Sequence, residues 1–234
     1  MKQEEHTYSP ALYFIPTPIG NLEDMTIRAL RLLSTADIIA CEDTRVTGML
    51  LKQYSIIPKK LVSCREHNEQ SVSEYLCKEV QKGSIVCYVS DAGTPGISDP
   101  GMLLIEKALQ CTIPYHVLPG STALIPALIQ SGFSTLDWTF VGFPPHKKGR
   151  ERFIDEIASR KNTIILYESP HRLLQLLEEF SNHISLNVRN LYVVRELTKK
   201  FEQSFHGTAA TILSNMNNQQ VKGEFVIVID KENA

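Results

Sequence analysis

Three polar segments rich in glycine and proline stand directly after apolar runs: TPIGN (17–21), SDAGTPGISDPG (90–101) and PGST (119–122). Glycine removes the Cβ and proline fixes φ, so such loops bring main-chain N–H and C=O groups close to a ligand. An ordinary strand-to-helix turn needs about 2–6 residues. The middle segment is far longer and holds Gly93, Gly96, Gly101, Pro95 and Pro100. Four charged clusters also follow apolar runs. CEDTR (41–45) carries Glu42, Asp43 and Arg45, and REHN (65–68) carries Glu66, His67 and Asn68. YESPHR (167–172) and RELTK (195–199) carry Glu168, Arg172, Arg195, Glu196 and Lys199. Carboxylates and imidazole can move a proton, and guanidinium groups can hold an anion. Taken singly, each cluster reads as an ion pair or a helix cap. Several at the ends of strands point to a common cleft, where active sites gather.

Some chemistries are excluded by the same segments. There is no G-x-x-x-x-G-K-[ST], no G-x-G-x-x-G after a strand, no methyltransferase variant of that glycine turn and no G-x-S-x-G elbow.

The elements that must position these loops alternate almost throughout. Strand-like runs are ALYFIP (11–16), DIIAC (37–41), LVSC (61–64), IVCYVS (85–90) and YHVLP (115–119). Helical patterns cover 26–34, 47–54 and 71–81, and one opens at Asp99-Pro100 as N-cap and first turn. A second series begins at Pro119-Gly120. It has helices over 121–131 (ending on Gly132), from the basic loop to about Arg160, and over 171–180. Its strands are WTFVGF (138–143), TIILYES (163–169), LYVVREL (191–197), SFHG (204–207) and EFVIVID (224–230). This alternation predicts an α/β fold with mostly parallel pairing. The expected division is a loose tail 1–10, an N-terminal α/β domain 11–118 and a C-terminal α/β domain 119–234.

Composition sets bounds. The chain has 234 residues, 43% hydrophobic and 21% charged, with net charge −2. These are globular values, with length enough for two cores. Residues 1–118 carry 11 Lys+Arg against 14 Asp+Glu, and residues 119–234 carry 13 against 12. That balance excludes broad capture of a polyanion and leaves room for a local basic site. HKKGRER (146–152) is that candidate, with Lys147, Lys148, Arg150 and Arg152 against Glu151. The five cysteines are widely spaced and lack zinc-site spacing, so they are expected to be reduced thiols and no metal is expected. The polar N-terminus lacks the apolar core of a signal peptide, and no apolar run is long enough to span a bilayer. A cytoplasmic protein is expected, with no membrane partner.

The order of TPIGNLEDMTIRAL, CEDTR, VSDAGTPGISDPG, PGSTALIPAL, YESPHR and RELTK, spanning about residues 11–230, resembles bacterial ribosomal RNA small-subunit methyltransferases of the tetrapyrrole methylase-like superfamily. The resemblance implies two α/β domains with S-adenosylmethionine (SAM) in the cleft between them. It implies methylation of a cytidine ribose 2′-hydroxyl in 16S rRNA, at the decoding centre of the 30S ribosomal subunit, by a homodimer. For the cofactor it implies Pro18, Gly93, Thr94 and Ile97, with Thr94 where relatives carry aspartate and Asp91 left to supply the carboxylate. It adds Thr122 and Ala123, and main-chain contacts at Glu168 and Leu197. Longer members have a C-terminal helical extension for RNA binding. KENA follows the last strand here, so RNA capture is expected to rest on the dimer and the HKKGRER loop.

Methyl transfer to a poor nucleophile benefits from a proton acceptor. The candidates are Glu42, Asp43, Glu66, His67, Glu168 and Glu196, with the CEDTR and YESPHR carboxylates expected to face the methyl group. Arg45, Lys147, Lys148, Arg150, Arg172, Arg195 and Lys199 are the expected phosphate contacts. A buried structural network is the competing view of the same charges. The competing functions are a small-molecule tetrapyrrole methylase and a non-catalytic SAM- or RNA-binding module.

Overall fold

The computed structural model describes residues 7–216 and 221–231, and the chain divides into two compact units, residues 1–122 and 123–234. The first six positions of the expected tail lie outside the described residues. Of its remainder, Tyr8 packs edge-on against Tyr13, whose hydroxyl donates to the Ser9 carbonyl at 2.8 Å.

The first unit runs β1 (Leu12–Phe14), α1 (Ile27–Thr35), β2 (Ile38–Cys41), α2 (Thr44–Gln53), β3 (Leu61–Ser63), α3 (Glu69–Gln81), β4 (Val86–Val89), α4 (Met102–Gln110) and β5 (Tyr115–Val117). Its sheet has the order β3-β2-β4-β1-β5 and every pair is parallel. The side-chain period of two divides each strand between two cores. Leu12 and Phe14 join Leu76, Leu104 and Ala108 on one face, and Tyr13 and Ile15 join Ala29, Leu32 and Leu33 on the other. Helices cover both faces, which is why these strands read as nearly unbroken apolar runs. α1 begins where the Thr26 hydroxyl accepts the Ala29 N–H at 3.1 Å.

In the second unit the order is α5 (Leu124–Ser131), β6 (Trp138–Phe140), α6 (Arg150–Ser159), β7 (Thr163–Glu168), α7 (Leu173–Asn182), β8 (Leu191–Arg195), β9 (Gln203–Gly207), α8 (Ala209–Asn215) and β10 (Phe225–Ile229). The sheet order is β6-β7-β10-β8-β9. Only β6 and β7 are parallel; β10 runs antiparallel to both β7 and β8, and β9 antiparallel to β8. Mostly parallel pairing therefore describes the first sheet and not the second. β10 inserts between two strands that precede it in the chain, a long-range choice that no local pattern encodes. α7 buries Leu173, Leu176, Leu177 and Phe180 against it.

Several boundaries differ from expectation. α4 starts after Gly101 (φ 127°), two residues beyond the expected Asp99-Pro100 start. α2 starts earlier, at Thr44, because the Asp43 carboxylate accepts the Arg45 N–H and caps it. α8 and a short 3₁₀ turn at Leu22–Asp24 went unread. Gly132 ends α5 in the left-handed region (φ 72°), as its position predicts. All five cysteines are free and four are buried. No helix among the described residues is long and apolar enough to cross a membrane.

Candidate functional site

In a parallel sheet all carboxyl ends lie on one edge, and ligands bind beyond them. The register of the first sheet puts Phe14, Val89, Val117, Cys41 and Ser63 at that edge. TPIGN, SDAGTPGISDPG, PGST, CEDTR and REHN therefore all emerge together.

A main-chain bridge and side-chain hydroxyls on main-chain carbonyls lock the first three into one another. Thr17 and Gly93 exchange N–H···O=C bonds at 2.9 Å in both directions, an isolated antiparallel bridge. The buried Thr17 hydroxyl donates to the Ser90 carbonyl at 3.2 Å. Thr94 donates to the Ser121 carbonyl at 2.9 Å, and Ser121 in turn donates to the Asp24 carbonyl at 3.1 Å. The Thr94 hydroxyl thus ties loop to loop. Gly120 abuts Pro16 so closely that an added Cβ would stand 2.7 Å from the proline Cβ. A Cβ on Gly101 would stand 2.9 Å from the buried Tyr88 ring. Pro18, Asp91, Thr94, Thr122 and Ala123 are half-buried around this junction, Gly93 is buried, and Ile97 is exposed.

Beside it lies an acidic edge. Asp91 accepts the Asp43 N–H at 3.2 Å, which brings CEDTR against the SDAGTPGISDPG loop. The Asp43 carboxylate is consumed locally: it binds Arg45 Nη2 at 2.6 Å and Arg65 Nη2 at 3.3 Å, and it caps α2. Hydrogen bonds from Arg45 hold its carboxyl well below the usual range. Glu42 differs. Burial, then the neighbouring Asp91 charge, push its carboxyl up. Glu66 and His67 are exposed on the following turn.

One residue of this edge was missed by sequence reading. Glu69 is buried at the start of α3 and accepts the Gly101 N–H at 2.9 Å, so it anchors the far end of the long loop. Its only sequence signal was a carboxylate directly after REHN, which resembled a solvated helix start.

The second unit gathers its clusters at one edge too, because Phe225 of β10 pairs with Glu168 on one side and Arg195 on the other. Here the charges face each other. Glu168 is 1% exposed; its Oε1 accepts from the Ser169 N–H at 2.7 Å and Arg172 Nη2 at 2.8 Å, and its Oε2 lies 3.8 Å from Arg150 Nη1. Arg150, 6% exposed, binds both Glu179 oxygens through Nε at 2.9 Å and donates to the Pro145 carbonyl at 3.0 Å. Arg172 donates to the Pro144 carbonyl at 2.9 Å. These three expected catalytic or phosphate-binding side chains thus spend most of their bonds inside the unit, with Glu168 Oε2 in an ion pair and in no hydrogen bond. In RELTK, Glu196 and Thr198 take positive φ (52° and 66°) around the buried Leu197. Lys199 joins Glu196 at 3.0 Å to Glu224 at 2.8 Å, and Arg195 donates to the Lys222 carbonyl at 2.6 Å. Burial raises the Glu196 carboxyl, but the Glu224 N–H and the Lys199 ammonium outweigh it and hold it below its ordinary value. Lys147 and Lys148 are exposed and form no ion pair with a described residue.

Comparison with known proteins fits this layout. A sequence profile for tetrapyrrole (corrin/porphyrin) methylases matches residues 11–213. A Hydrogenobaculum sp. protein named ribosomal RNA small subunit methyltransferase I is 45% identical over 95% of this chain and 96% of its own. Like-named proteins of Synechocystis sp. and Bacillus subtilis are 44% and 40% identical, over 93% and 95% of this chain and 78% and 75% of theirs. Among solved structures, cobalt precorrin-4 methyltransferase superposes with TM-score 0.67 at 19% identity, covering 94% of this chain and 95% of its own. Uroporphyrin-III C-methyltransferase of Thermus thermophilus, complexed with S-adenosylhomocysteine, gives 0.62 at 17%, covering 94% and 97%. With two α/β sheets of this order and that identity along nearly its whole length, the chain belongs to the tetrapyrrole (corrin/porphyrin) methylases, in the branch of the ribosomal RNA small subunit methyltransferase I proteins.

Proposed function

We propose that the protein transfers a methyl group from SAM to the 2′-hydroxyl of a cytidine ribose in 16S rRNA of the small ribosomal subunit. The observation that carries the reading is the interlocked junction of Thr17, Gly93, Thr94 and Ser121 at the carboxyl edge of the first sheet, beside Glu42 and Asp91. The relatives at 40–45% identity carry the rRNA substrate in their names.

The residues present suit SAM. Pro18, Gly93, Thr94, Ile97, Thr122 and Ala123 offer main chain and small side chains at close range, and the carboxylates of Glu42 and Asp91 suit a cationic ligand. Leu197 and the Glu168 main chain are proposed contacts that rest on the family resemblance alone. When bound, SAM supplies an electrophilic methyl on a sulfonium. The chain's part is to fix the acceptor oxygen in line and accept its proton. Glu42 is the favoured acceptor: its raised affinity for protons brings it nearer neutrality than an ordinary carboxylate. Asp43 is held as a helix cap and Glu168 as an ion-pair centre. Lys147, Lys148 and the exposed Arg45 are the favoured phosphate contacts. A homodimer acting in the cytoplasm is part of the proposal, supported by the exposed apolar pair Ile125 and Ile129 on α5 and by five free thiols.

Labelled SAM incubated with undermethylated 30S subunits, free 16S rRNA and a porphyrinogen tests it. Label recovered as 2′-O-methylcytidine after nuclease digestion supports the reading; label in the porphyrinogen or on a base overturns it. Light scattering reports the dimer.

A further inference from the structure

The loop that joins β6 to α6 holds an aromatic ring where a polar turn would be expected. Phe143 is 48% exposed, and single exposed apolar side chains are ordinary. Its setting is not. The ring leans on Tyr167 (centroids 5.4 Å apart, 58° between planes), and Tyr167 is backed by Phe140 at 5.0 Å and 64°. The backbone that carries Phe143 is fixed on both sides. Gly142 (φ 70°) accepts the Tyr167 N–H at 3.0 Å, the Pro144 carbonyl takes Arg172 and the Pro145 carbonyl takes Arg150. Both arginines converge on Glu168. Arg172 of YESPHR and Arg150 of HKKGRER therefore clamp the loop, and the exposed ring is held rather than free to fold inward. After Pro144 and Pro145 come His146, Lys147 and Lys148, all exposed.

A rigid, half-exposed aromatic beside unpaired cations is what an unstacked nucleotide needs: a flat face for the base and positive charge for its phosphates. We propose that Phe143, buttressed by Tyr167 and Phe140, is a stacking platform for one unpaired base of the RNA substrate, with Lys147 and Lys148 holding the adjoining phosphates. The inference rests on the RNA reading above and adds that the RNA is engaged through a splayed single-stranded nucleotide. Arg150 and Arg172 act as positioning residues for the platform.

The test uses the full chain and a uridine-flanked single-stranded RNA oligonucleotide carrying one 2-aminopurine, whose fluorescence falls on aromatic stacking. The wild type should bind and quench it. Phe143→Ala should weaken binding about tenfold and lose the quench, and Phe143→Trp should keep both, with melting unchanged because the ring is half-exposed. With 30S subunits as substrate, Phe143→Ala should raise KM for the particle and leave KM for SAM alone. Lys147→Ala with Lys148→Ala should lower the salt slope yet keep the quench. Equal affinity and quench for wild type and Phe143→Ala, or no binding by the wild type, overturns the platform. Quenching without any methylation of 30S subunits leaves the platform standing and overturns only the assigned reaction.

Discussion

The two sheet edges solve the same problem with different material. The loop junction at the edge of the first unit is built mostly from main chain: the Thr17–Gly93 bridge and the Gly120–Pro16 approach, joined by the Thr94 hydroxyl on the Ser121 carbonyl. The edge of the second is built from long charged side chains, Arg150, Glu168, Arg172 and Glu179, closed on one another. Main chain at an edge leaves donors and acceptors for a ligand. An ion network spends most of its donors and acceptors on itself and can hold a loop in one shape. Clusters that look alike as sequence, CEDTR and YESPHR, thus do unlike work.

The sharpest way to break this contrast is Glu168→Ala. It takes away the buried carboxylate that Arg172 binds at 2.8 Å, while Arg150 keeps Glu179, and removal of one partner from a buried pair costs about 3–5 kcal/mol. A large fall in urea-unfolding stability is expected; unchanged stability with lost turnover would return Glu168 to the reacting groups. Next in size is Glu42→Gln. Turnover should fall by about 10²-fold with melting unchanged. The sign of the pH effect follows from the raised Glu42 carboxyl. The acceptor must be ionised, so wild-type activity should decline on acidification at a higher pH than an ordinary carboxylate would give, and the variant's profile should lack that limb. Gly120→Ala probes the main-chain edge. Its Cβ meets a rigid proline ring, and over-packing of this kind costs about 1–3 kcal/mol. SAM affinity by calorimetry should drop together with stability. Thr94→Val is the mildest: it removes the hydrogen bond to the Ser121 carbonyl, about 1 kcal/mol, and should weaken SAM binding slightly. A Thr94→Val effect larger than that of Gly120→Ala would show the hydroxyl itself meeting the ligand.

Much of this was legible beforehand. Strands of the first sheet are buried on both faces, so Ile38–Cys41 and Val86–Val89 stand out as apolar runs, and the glycines and prolines after them mark the loops. α5 announces its end through Gly132. The start of α4 was misplaced because Asp99-Pro100 has the composition of a cap while Gly101 has the backbone freedom the turn requires. Glu69 was invisible because its partner, the Gly101 N–H, is distant along the chain.

The sequence by itself determined the α/β character, most of the order of elements, the long glycine- and proline-rich loops after the strands and the family. These are local properties: periodicity, capping, turn composition and motif order. Only the tertiary structure decided that β10 enters between β7 and β8, and that Glu168 and Arg195 share a row through Phe225. It alone decided that Asp43 is spent on Arg45, Arg65 and a helix cap, and that Glu168 lies between Arg172 and Arg150. A side chain's charge is written in the chain, but its partner is chosen by long-range pairing, and the partner decides whether that charge reacts or holds the fold.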